Sequence, residues 1–464
     1  MVRTIRVSCP DVTPGIASRH DTISKKYTIE VITPLFGGGV EPGFNDPVTL
    51  IRPSSIRGHL RFWWRATQGA RFETVEALRE REGEIWGTTE NPSPVRLRVS
   101  VTKKNQPTVC AAYKWNQMKR DGTGGYDLEW MELFDNQQSQ LPYVLFPFQG
   151  NAPDSEKPKD PAKFVAAAKF NLSVLIPTQQ RMAGLRTEYN QQRDKKSLPK
   201  LTEQDDNVQQ DIEAALWAWV NFGGIGARTR RGCGALFCKD FAPSSVDGIG
   251  EWFKSHCGLG ETTPTNQWPL LTKPPLIRKG TSTPLEGWSL AVGLMRDFRQ
   301  GSVGRDGRSL WPEADSLRAI TGKSKYCTSV TLPDPIDPVS GTAFPRAELG
   351  LPIVFHFKDH AHSPNDCELY PKDKKRMASP VILRPLAIGD GRRAAAMVLH
   401  LTGPKPGELE LRNLENPPAL TSRNIYRPDL CDYPASPLKR SASGSALDAF
   451  IAFAREKGFE EVKP

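Results

Sequence analysis

The segment from Gly223 to Leu236 combines two residue types that together suit a phosphate ligand. It reads GGIGARTRRGCGAL and holds five glycines and three arginines in fourteen residues. Glycine adopts positive φ freely and lets another backbone approach closely, whereas the guanidinium of arginine presents a planar fork of donors that matches a phosphate. The pattern predicts a loop whose amides and arginines bind the backbone of a polyanion.

The glycines allow two turns in this loop. We expect the first three to follow the C-terminus of a helix, with Gly223 as its left-handed cap, and Gly232 and Gly234 to form a second turn with exposed amides. A cap and a tight turn alone would need one glycine and no arginine, so a purely structural role is the weaker interpretation. The arginines expected to project from the loop are Arg228, Arg230 and Arg231.

A second arginine cluster lies on a predicted helix over residues 54–68. Arg57, Arg61 and Arg65 recur every four residues and therefore line one helical face, with Arg52 just before the helix. No Asp or Glu occurs between Pro47 and Phe72, although a solvated helix usually mixes charge signs. We predict phosphate binding here. The alternative is that carboxylates from elsewhere in the chain pair with these arginines.

The ends and the interior of this helix carry further signals. Ser54 or Ser55 is the expected N-cap, and Gly69 is the expected end. Gly58 lies inside the helix, where glycine is less favourable than alanine by about 1 kcal/mol. Such a glycine indicates that another backbone comes close, either that of a neighbouring strand or that of a nucleotide.

Other nucleotide and metal signatures are absent from the sequence. The glycine loop lacks GxxxxGK[ST], and a dinucleotide fingerprint would follow a strand rather than a helix. The eight cysteines form neither a CxxC pair nor a Cys/His array, so neither a disulfide framework nor a zinc finger is expected. We therefore predict no nucleotide hydrolysis, no cofactor and no metal.

Composition and charge limit the class of protein. The chain has 464 residues, of which 38% are hydrophobic, enough for about two to four domains. Lys and Arg number 62 against 52 Asp and Glu, a net charge of +10 that favours an anionic partner. No apolar run of about 18 residues and no signal-peptide pattern occurs. We expect a cytoplasmic protein without a membrane partner.

The elements that must position these motifs follow a strand-helix-strand-strand-helix-strand order in the first half of the chain. Strand patterns occur at 26–33, 95–102 and 169–177, and a helix over 208–222 leads into the glycine loop. The segment GALFCKDF after the loop is the expected closing strand. This α+β order, with an insertion, predicts a ferredoxin-like domain, the architecture shared with RNA-recognition modules.

A second α+β unit is predicted in the other half of the chain. Strand patterns occur at 352–357, 380–388 and 395–401, and helix patterns surround 289–301 and 445–458. Irregular, Pro-rich sequence separates the two units. The predicted organisation is a first domain over 1–245, a connector over 246–284 and a second domain over 285–464.

The sequence resembles the RAMP superfamily of CRISPR proteins, whose hallmark is a glycine-rich loop after the last helix of a ferredoxin-like fold. The resemblance rests on ITPLFGGG, on SSIRGHLRFWWRA and on the glycine loop itself. In the second half, SLWPEADSLRAITG, FPRAELGLPIVFHF and RMASPVILRPLA are similar to one family of that superfamily. That family is the first RAMP subunit of the type III-B effector, the Cmr complex.

This resemblance implies two ferredoxin-like (RRM-like) domains in tandem and a subunit that binds guide and target RNA beside other RAMP subunits. It places the protein near the 3′ end of the guide, in antiviral defence, without nuclease activity of its own. Cys233 departs from the family, where a larger residue is expected. The RNA-facing residues that it implies are Arg52, Arg57, Arg61, Arg65, Gly223, Gly224, Gly226, Arg228, Arg230 and Arg231, with Arg346 and Arg376 in the second half.

Three hypotheses of function follow from these patterns. The first is a non-catalytic RNA-binding subunit, which we favour; the second is a metal-independent endoribonuclease that processes guide precursors; the third is a scaffold whose basic face meets acidic proteins. Cleavage would need a base such as His20 or His59, and His59 has the neighbours of a packed residue. The histidines between 356 and 362 lie near Asp359, but their mixed spacing makes a metal site the weaker interpretation.

Overall fold

The computed structural model describes residues 21–39, 43–117, 124–134, 140–195, 197, 207–256, 267–300, 302–303, 308–323, 341–357, 363–372 and 374–462. The strands are β1 (Thr22–Val31), β2 (Leu35–Phe36), β3 (Arg96–Lys104), β4 (Thr108–Val109), β5 (Ala111–Asn116), β6 (Gly125–Trp130), β7 (Lys163–Val165), β8 (Ala168–Pro177), β9 (Leu236–Phe237), β10 (Leu276–Arg278), β11 (Ser302–Val303), β12 (Arg308–Ser309), β13 (Ile353–Phe355), β14 (Cys367–Pro371), β15 (Val381–Ile388), β16 (Arg393–His400), β17 (Leu409–Arg412) and β18 (Phe459–Glu461). The helices are α1 (Pro53–Gln68), α2 (Val75–Trp86), α3 (Pro142–Leu145), α4 (Gln179–Lys195), α5 (Val208–Phe222), α6 (Ile249–His256), α7 (Pro284–Arg299), α8 (Glu313–Ile320), α9 (Ser422–Ile425) and α10 (Ala446–Glu456).

The first half of the chain is organised around one antiparallel sheet with the strand order β3-β8-β1-β9. Every second side chain of β8 is buried, the period expected of a strand with one covered face. Helices α1 and α5 pack against each other and against this sheet. The segment between β3 and β8 holds four smaller strands: β4 and β7 form a separate sheet with β2, and β5 pairs with β6.

The second half repeats this arrangement with the order β15-β16-β10-β18. Numbered along the chain within each sheet, both orders are 2-3-1-4. Helix α7 packs on β15 and β16, and α10 contacts α7 and β18. Strand β10 comes from the segment 246–284, predicted as a connector. The chain is thus a mixed structure of helices and antiparallel sheets. No helix of the described segments has the length and apolar character to cross a bilayer.

One apolar core joins the two halves. It includes Trp64 from α1, Trp217 and Trp219 from α5, and Ile382 and Leu386 from β15. Full burial of a large apolar side chain contributes about 1.5–3 kcal/mol relative to exposure, so this shared cluster holds the halves together. Because α5 lies between the two sheets, the loop after its C-terminus is placed at their junction.

Several predicted boundaries differ from the structure for identifiable reasons. Helix α1 begins at Pro53 with Arg52 as its N-cap and no side-chain cap, so the prediction of Ser54 or Ser55 as N-cap was wrong. Proline is favoured at the first helical position, because its missing N–H has no intrahelical partner there. Gly69 keeps a helical φ of −64°, and the chain continues into a short 3-10 turn. Helix α4 was missed because its sequence is polar on all sides.

Candidate functional site

The two glycine-rich segments of the first half lie against each other. The backbone N–H of Ala227 donates to the carbonyl oxygen of Phe36 at 2.7 Å, and that of Gly234 donates to the carbonyl oxygen of Pro34 at 2.9 Å. An added Cβ at Gly38 would lie 3.8 Å from the Cα of Gly226. The segments ITPLFGGG and GGIGARTRRGCGAL therefore form one closely packed backbone layer.

Protein atoms account for the glycines of the long loop. Gly226, Gly232 and Gly234 have positive φ, but Gly223 has φ −92°, so the prediction of a left-handed cap at Gly223 was wrong. A Cβ at Gly223 would lie 2.5 Å from Nε1 of Trp63, and one at Gly224 would lie 2.8 Å from a neighbouring carbonyl oxygen. Packing thus requires glycine at these positions.

Two of the loop arginines connect the halves of the chain. Arg230 donates to the carbonyl oxygen of Ser379, and Nη1 of Arg231 donates to that of Val381 at 3.0 Å. Burial, reinforced by neighbouring cations, lowers the pKa of Arg231 to about 9. The expectation that these side chains project into solvent was therefore wrong. They hold the loop on the start of β15 and on Ser379 just before it, at the edge of the sheet, where backbone carbonyl oxygens are available as acceptors.

A third arginine, Arg384 of β15, also contacts this loop from the second half of the chain. Arg384 is fully buried and donates to the carbonyl oxygens of Gly223 at 2.6 Å, Leu236 at 3.0 Å and Pro385 at 3.0 Å. Its side chain thus binds both ends of the glycine loop. Sequence reasoning missed this residue because β15 is an almost entirely apolar strand, and a single arginine in it forms no repeating pattern.

The glycine layer forms one wall of a groove of about 500 Å³, referred to below as the glycine groove. Its lining combines Gly38 and Gly39, the first turn of α1, the segment 147–162, residues 225–228 and Arg376. Four segments that are distant in sequence, within 38–59, 147–162, 225–228 and at 376, therefore meet here. Of the implied RNA-facing residues, the groove contains Arg52, Gly226, Arg228 and Arg376.

The glycine groove is lined by four strong cations and one carboxylate. The cations are Arg52, Lys159, Arg228 and Arg376, and the carboxylate is that of Asp160. Burial lowers the pKa of Arg228, and within the described segments this arginine makes no ion pair. Its Nε is also a buried donor without a hydrogen-bond partner there. The groove thus presents positive charge that the protein itself leaves largely uncompensated, which favours an anionic ligand.

Two exposed aromatic rings stand at this groove. Phe44 lines it and is 45% exposed. Phe146 is 58% exposed, and the Arg228 guanidinium lies 5.7 Å from its ring centroid. Exposed rings beside a cationic groove are the combination that binds single-stranded nucleic acid, because bases stack on rings while the backbone follows the cations. Sequence reasoning missed both residues, since isolated phenylalanines usually indicate core.

The first turn of α1 adds neutral donors to the same groove. Ser55 of the first turn and His59 of the second line the groove. The first turn contains no acidic residue and no side-chain cap. The free N–H groups of such a helix end favour an anion. His59 stacks on Trp219 with 6.3 Å between ring centroids, and burial lowers its pKa. Burial thus favours the neutral form of the His59 ring. His20 lies outside the described residues.

The other arginines of α1 face away from this groove into a second cleft. Nε of Arg61 and Nη1 of Arg65 both donate to Oε1 of Glu82, at 2.6 Å and 2.5 Å. Nη2 of Arg57 donates to the carbonyl oxygen of Val95 at 3.0 Å. For Arg61 and Arg65 the alternative interpretation, pairing with a carboxylate from elsewhere, matches the structure. α2, which carries Glu82, was not recognised in the sequence.

The remaining predicted positions have local roles. Arg346 pairs with the buried carboxylate of Glu313 at 3.1 Å and lies over the Trp311 ring at 5.8 Å, away from the glycine groove. Gly58 is exposed, and an added Cβ there would meet no heavy atom within 4 Å. A close approach of a neighbouring strand is therefore not its explanation.

Metal ligands do not cluster in the described part of the chain, which holds no group of three or more His, Cys, Asp or Glu side chains in a metal-binding arrangement. His356 instead pairs with Asp366 at 2.6 Å, and the histidines at 360 and 362 lie outside the described residues. Cys233 and Cys238 are both buried thiols, and burial raises the pKa of each to about 12.

Part of this chain is similar in sequence to known proteins. Residues 28–237 match the model of the RAMP superfamily. The chain is 28% identical over 219 residues to the CRISPR system Cmr subunit Cmr1-2 of Pyrococcus furiosus, an alignment that spans 45% of this chain and 92% of that protein.

Two solved structures are similar over most of the chain. The crystal structure of apo Cmr1 from Pyrococcus furiosus aligns with a TM-score of 0.42 at 16% identity, over 82% of this chain and 89% of that one. A cryo-EM structure of the Type III-B Cmr-beta bound to cognate target RNA aligns with a TM-score of 0.44 at 12% identity, over 82% of this chain and 94% of that one.

Proposed function

We propose, from the match of residues 28–237 to the RAMP superfamily, that the protein is the RNA-binding, Cmr1-type subunit of a type III-B CRISPR complex. The relative named Cmr1-2 supports the choice of subunit, since its alignment covers 92% of that protein. Its ligands in this proposal are guide and target RNA near the 3′ end of the guide, its neighbours are other RAMP subunits, and its role is antiviral defence.

The observation that carries this proposal is the convergence of separate sequence motifs on one groove. The ITPLFGGG segment, the start of α1 and the glycine loop all line the glycine groove. Their spacing along the sequence did not predict that they would meet. Four strong cations and the exposed ring of Phe44 line this groove, and the exposed ring of Phe146 lies beside Arg228. Cations and amides contact phosphates without reading bases, so we expect binding that tolerates many sequences.

We further propose that each half of the chain is a ferredoxin-like domain. The strand order 2-3-1-4 in both sheets supports this, as does the placement of a helix after the first and after the third strand of each sheet. The shared apolar core makes the pair one unit with the glycine loop at its junction. In this arrangement the second half contributes Arg376 to the groove of the first.

We propose that the subunit binds RNA without cutting it. Metal-independent cleavage would need a base beside the RNA, and His59 is the one specific observation that favours this second function, because it lines the glycine groove. Purified protein incubated with RNA in EDTA separates the two functions. Retained, uncut RNA supports the proposal, and defined products that disappear in His59→Ala support an endoribonuclease.

The double variant Lys159→Gln/Arg376→Gln tests the groove directly. Both side chains are exposed and line the groove, so their loss should leave folding intact while removing two phosphate contacts. We expect the log–log salt dependence of single-stranded RNA binding to become shallower by about 0.7 per contact, roughly 1.4 in total. Fluorescence anisotropy across a series of salt concentrations measures this slope.

The matched control is Lys157→Gln/Lys374→Gln, which removes the same charge from the same two segments. Both lysines are exposed and neither lines the groove. Its slope should equal that of the parent protein. Equal slopes for parent and groove variant would rule out the groove as the RNA site, and equal losses in both variants would indicate diffuse attraction to net charge.

Gly58→Ala tests whether RNA instead crosses the exposed surface of α1. Alanine should raise the free energy of unfolding by about 0.5–1 kcal/mol, because its Cβ has open space. Gly184→Ala in α4 is the matched control, since an added Cβ there also meets nothing within 4 Å. We expect both variants to gain stability in thermal unfolding and to bind RNA like the parent. Weaker RNA binding by Gly58→Ala alone would show that RNA also passes close to the exposed surface of α1 at Gly58.

A further inference from the structure

The second cleft, on the opposite side of α1 from the glycine groove, is lined by five arginines and one acid. The arginines come from α1, α2 and the start of β3, and the acid is Glu82, whose carboxylate Arg61 and Arg65 share. One carboxylate cannot balance five guanidinium groups. The arginine cleft is formed by Arg57, Arg61, Arg65, Arg79 and Arg96, together with Glu82, Trp86 and the turn at 87–93.

Buried donors in the walls of this cleft lack acceptors. Trp86 is 2% exposed, and its indole N–H has no hydrogen-bond partner in the described part of the chain. Nη1 of Arg57 is likewise buried and unpartnered there. A buried donor without an acceptor loses about 1–3 kcal/mol of free energy. A ligand that brings acceptor atoms into the cleft would relieve these losses.

The electrostatics of the cleft define what kind of acceptor fits. Burial lowers the pKa of Arg57, and the positive charge of Arg61 lowers it further. Arg79 and Arg96 are exposed and form no ion pair within the described residues. Arginine forks match the oxygen geometry of phosphate. The cleft volume, about 1030 Å³, suits a nucleotide-sized group better than a bare ion.

We propose that the arginine cleft is a second anion site, which binds a phosphate group of a nucleotide or of an RNA strand separately from the glycine groove. Arg57 and Trp86 donate to the phosphate from the cleft wall, and Arg79 and Arg96 approach it from the solvent side. This inference does not depend on the proposed function of the groove, because no residue lines both surfaces.

The indole N–H of Trp86 is the reporter for this site. In protein labelled with ¹⁵N-tryptophan, the Trp86 resonance is identified by its absence in Trp86→Phe. The probes are inorganic phosphate, adenosine 5′-monophosphate and a short single-stranded RNA without terminal phosphates. We expect a saturable shift of this resonance. Saturation by phosphate or the nucleotide identifies a free ligand as the source, and saturation by the RNA alone identifies a strand.

Variants of α1 and β3 test the site, and two arginines of β3 supply the matched comparison. Arg57→Gln should weaken binding about tenfold, the loss of one charge-assisted hydrogen bond, and Arg96→Gln should weaken it less. Arg98→Gln removes another exposed arginine of β3, outside the cleft, and should bind like the parent. Because Arg96 is exposed, its variant keeps the test valid even if Arg57→Gln misfolds.

Two outcomes would overturn the inference. One is a Trp86 resonance that none of the three probes shifts. The other is a loss in Arg98→Gln as large as that in Arg96→Gln, which would indicate general charge attraction. The variant Lys159→Gln/Arg376→Gln keeps this test separate from the proposed function, since it should impair the glycine groove and leave the Trp86 titration unchanged.

Discussion

Replacing Arg384 by lysine should destabilise the protein more than replacing it by methionine, by about 3–5 kcal/mol against about 1–3 kcal/mol. Three different nitrogens of this guanidinium donate to the carbonyl oxygens of Gly223, Leu236 and Pro385. A lysine has one nitrogen, which cannot reach three acceptors held in that geometry. The substitution that keeps the charge is therefore expected to be the more damaging one.

Burial explains the order of the two variants. The Arg384 site is fully enclosed, and this burial lowers the pKa of the arginine to about 9, which shows how strongly the site disfavours charge. A lysine there either keeps a poorly solvated ammonium or releases its proton, and both are unfavourable. Methionine leaves the carbonyl oxygens without this donor but introduces no charge. Its loss is limited to the unsatisfied acceptors.

Urea unfolding followed by tryptophan fluorescence measures these differences. Arg278 provides the control, because it belongs to β10 in the same sheet and is exposed. Arg278→Lys and Arg278→Met should change stability by no more than about 0.5 kcal/mol. A lysine variant of Arg384 that unfolds at or above the urea midpoint of the methionine variant would contradict the expected cost of a buried lysine, and a methionine variant as stable as the parent would show that the guanidinium contacts do not hold the junction.

Gly226→Ala should destabilise the protein by about 3 kcal/mol, from left-handed backbone strain together with overpacking. The residue has φ +83°, and an added Cβ would lie 2.3 Å from the carbonyl oxygen of Phe36. That oxygen accepts the hydrogen bond from Ala227 that joins the two glycine segments. The backbone layer would have to separate to admit one methyl group. Thermal and urea unfolding both report this loss.

Gly458→Ala separates the two causes. Gly458 has a nearly equal φ of +80°, but an added Cβ there meets no heavy atom within 4 Å. We expect this control to lose about 1–2 kcal/mol, the left-handed strain alone. Equal losses at the two positions would contradict the close approach of Phe36. Because Gly226 also lines the glycine groove, RNA binding of the folded fraction should fall as well.

Local patterns in the sequence were sufficient to predict several of the main helices and strands and to show the resemblance to the family. The period of arginines and apolar residues predicted α1 nearly to its ends, and the apolar run before the glycine loop predicted α5 over 208–222. Alternating residues predicted β8 because one face of a strand is buried. The motifs also carried the resemblance to the RAMP superfamily, which is confirmed over residues 28–237. These features depend on neighbours within a few residues, so the sequence alone contains them.

The partners of the arginines were decided by the tertiary structure. Arg230 and Arg231 bind backbone about 150 residues away, and no local period encodes such a contact. Arg61 and Arg65 meet Glu82 because α2 packs beside α1, whereas Arg376 reaches the glycine groove because the two sheets share a core. A guanidinium can donate to a carbonyl, to a carboxylate or to a phosphate. Its chemistry is therefore set by the sequence, and its ligand is set by the group that folding brings within reach.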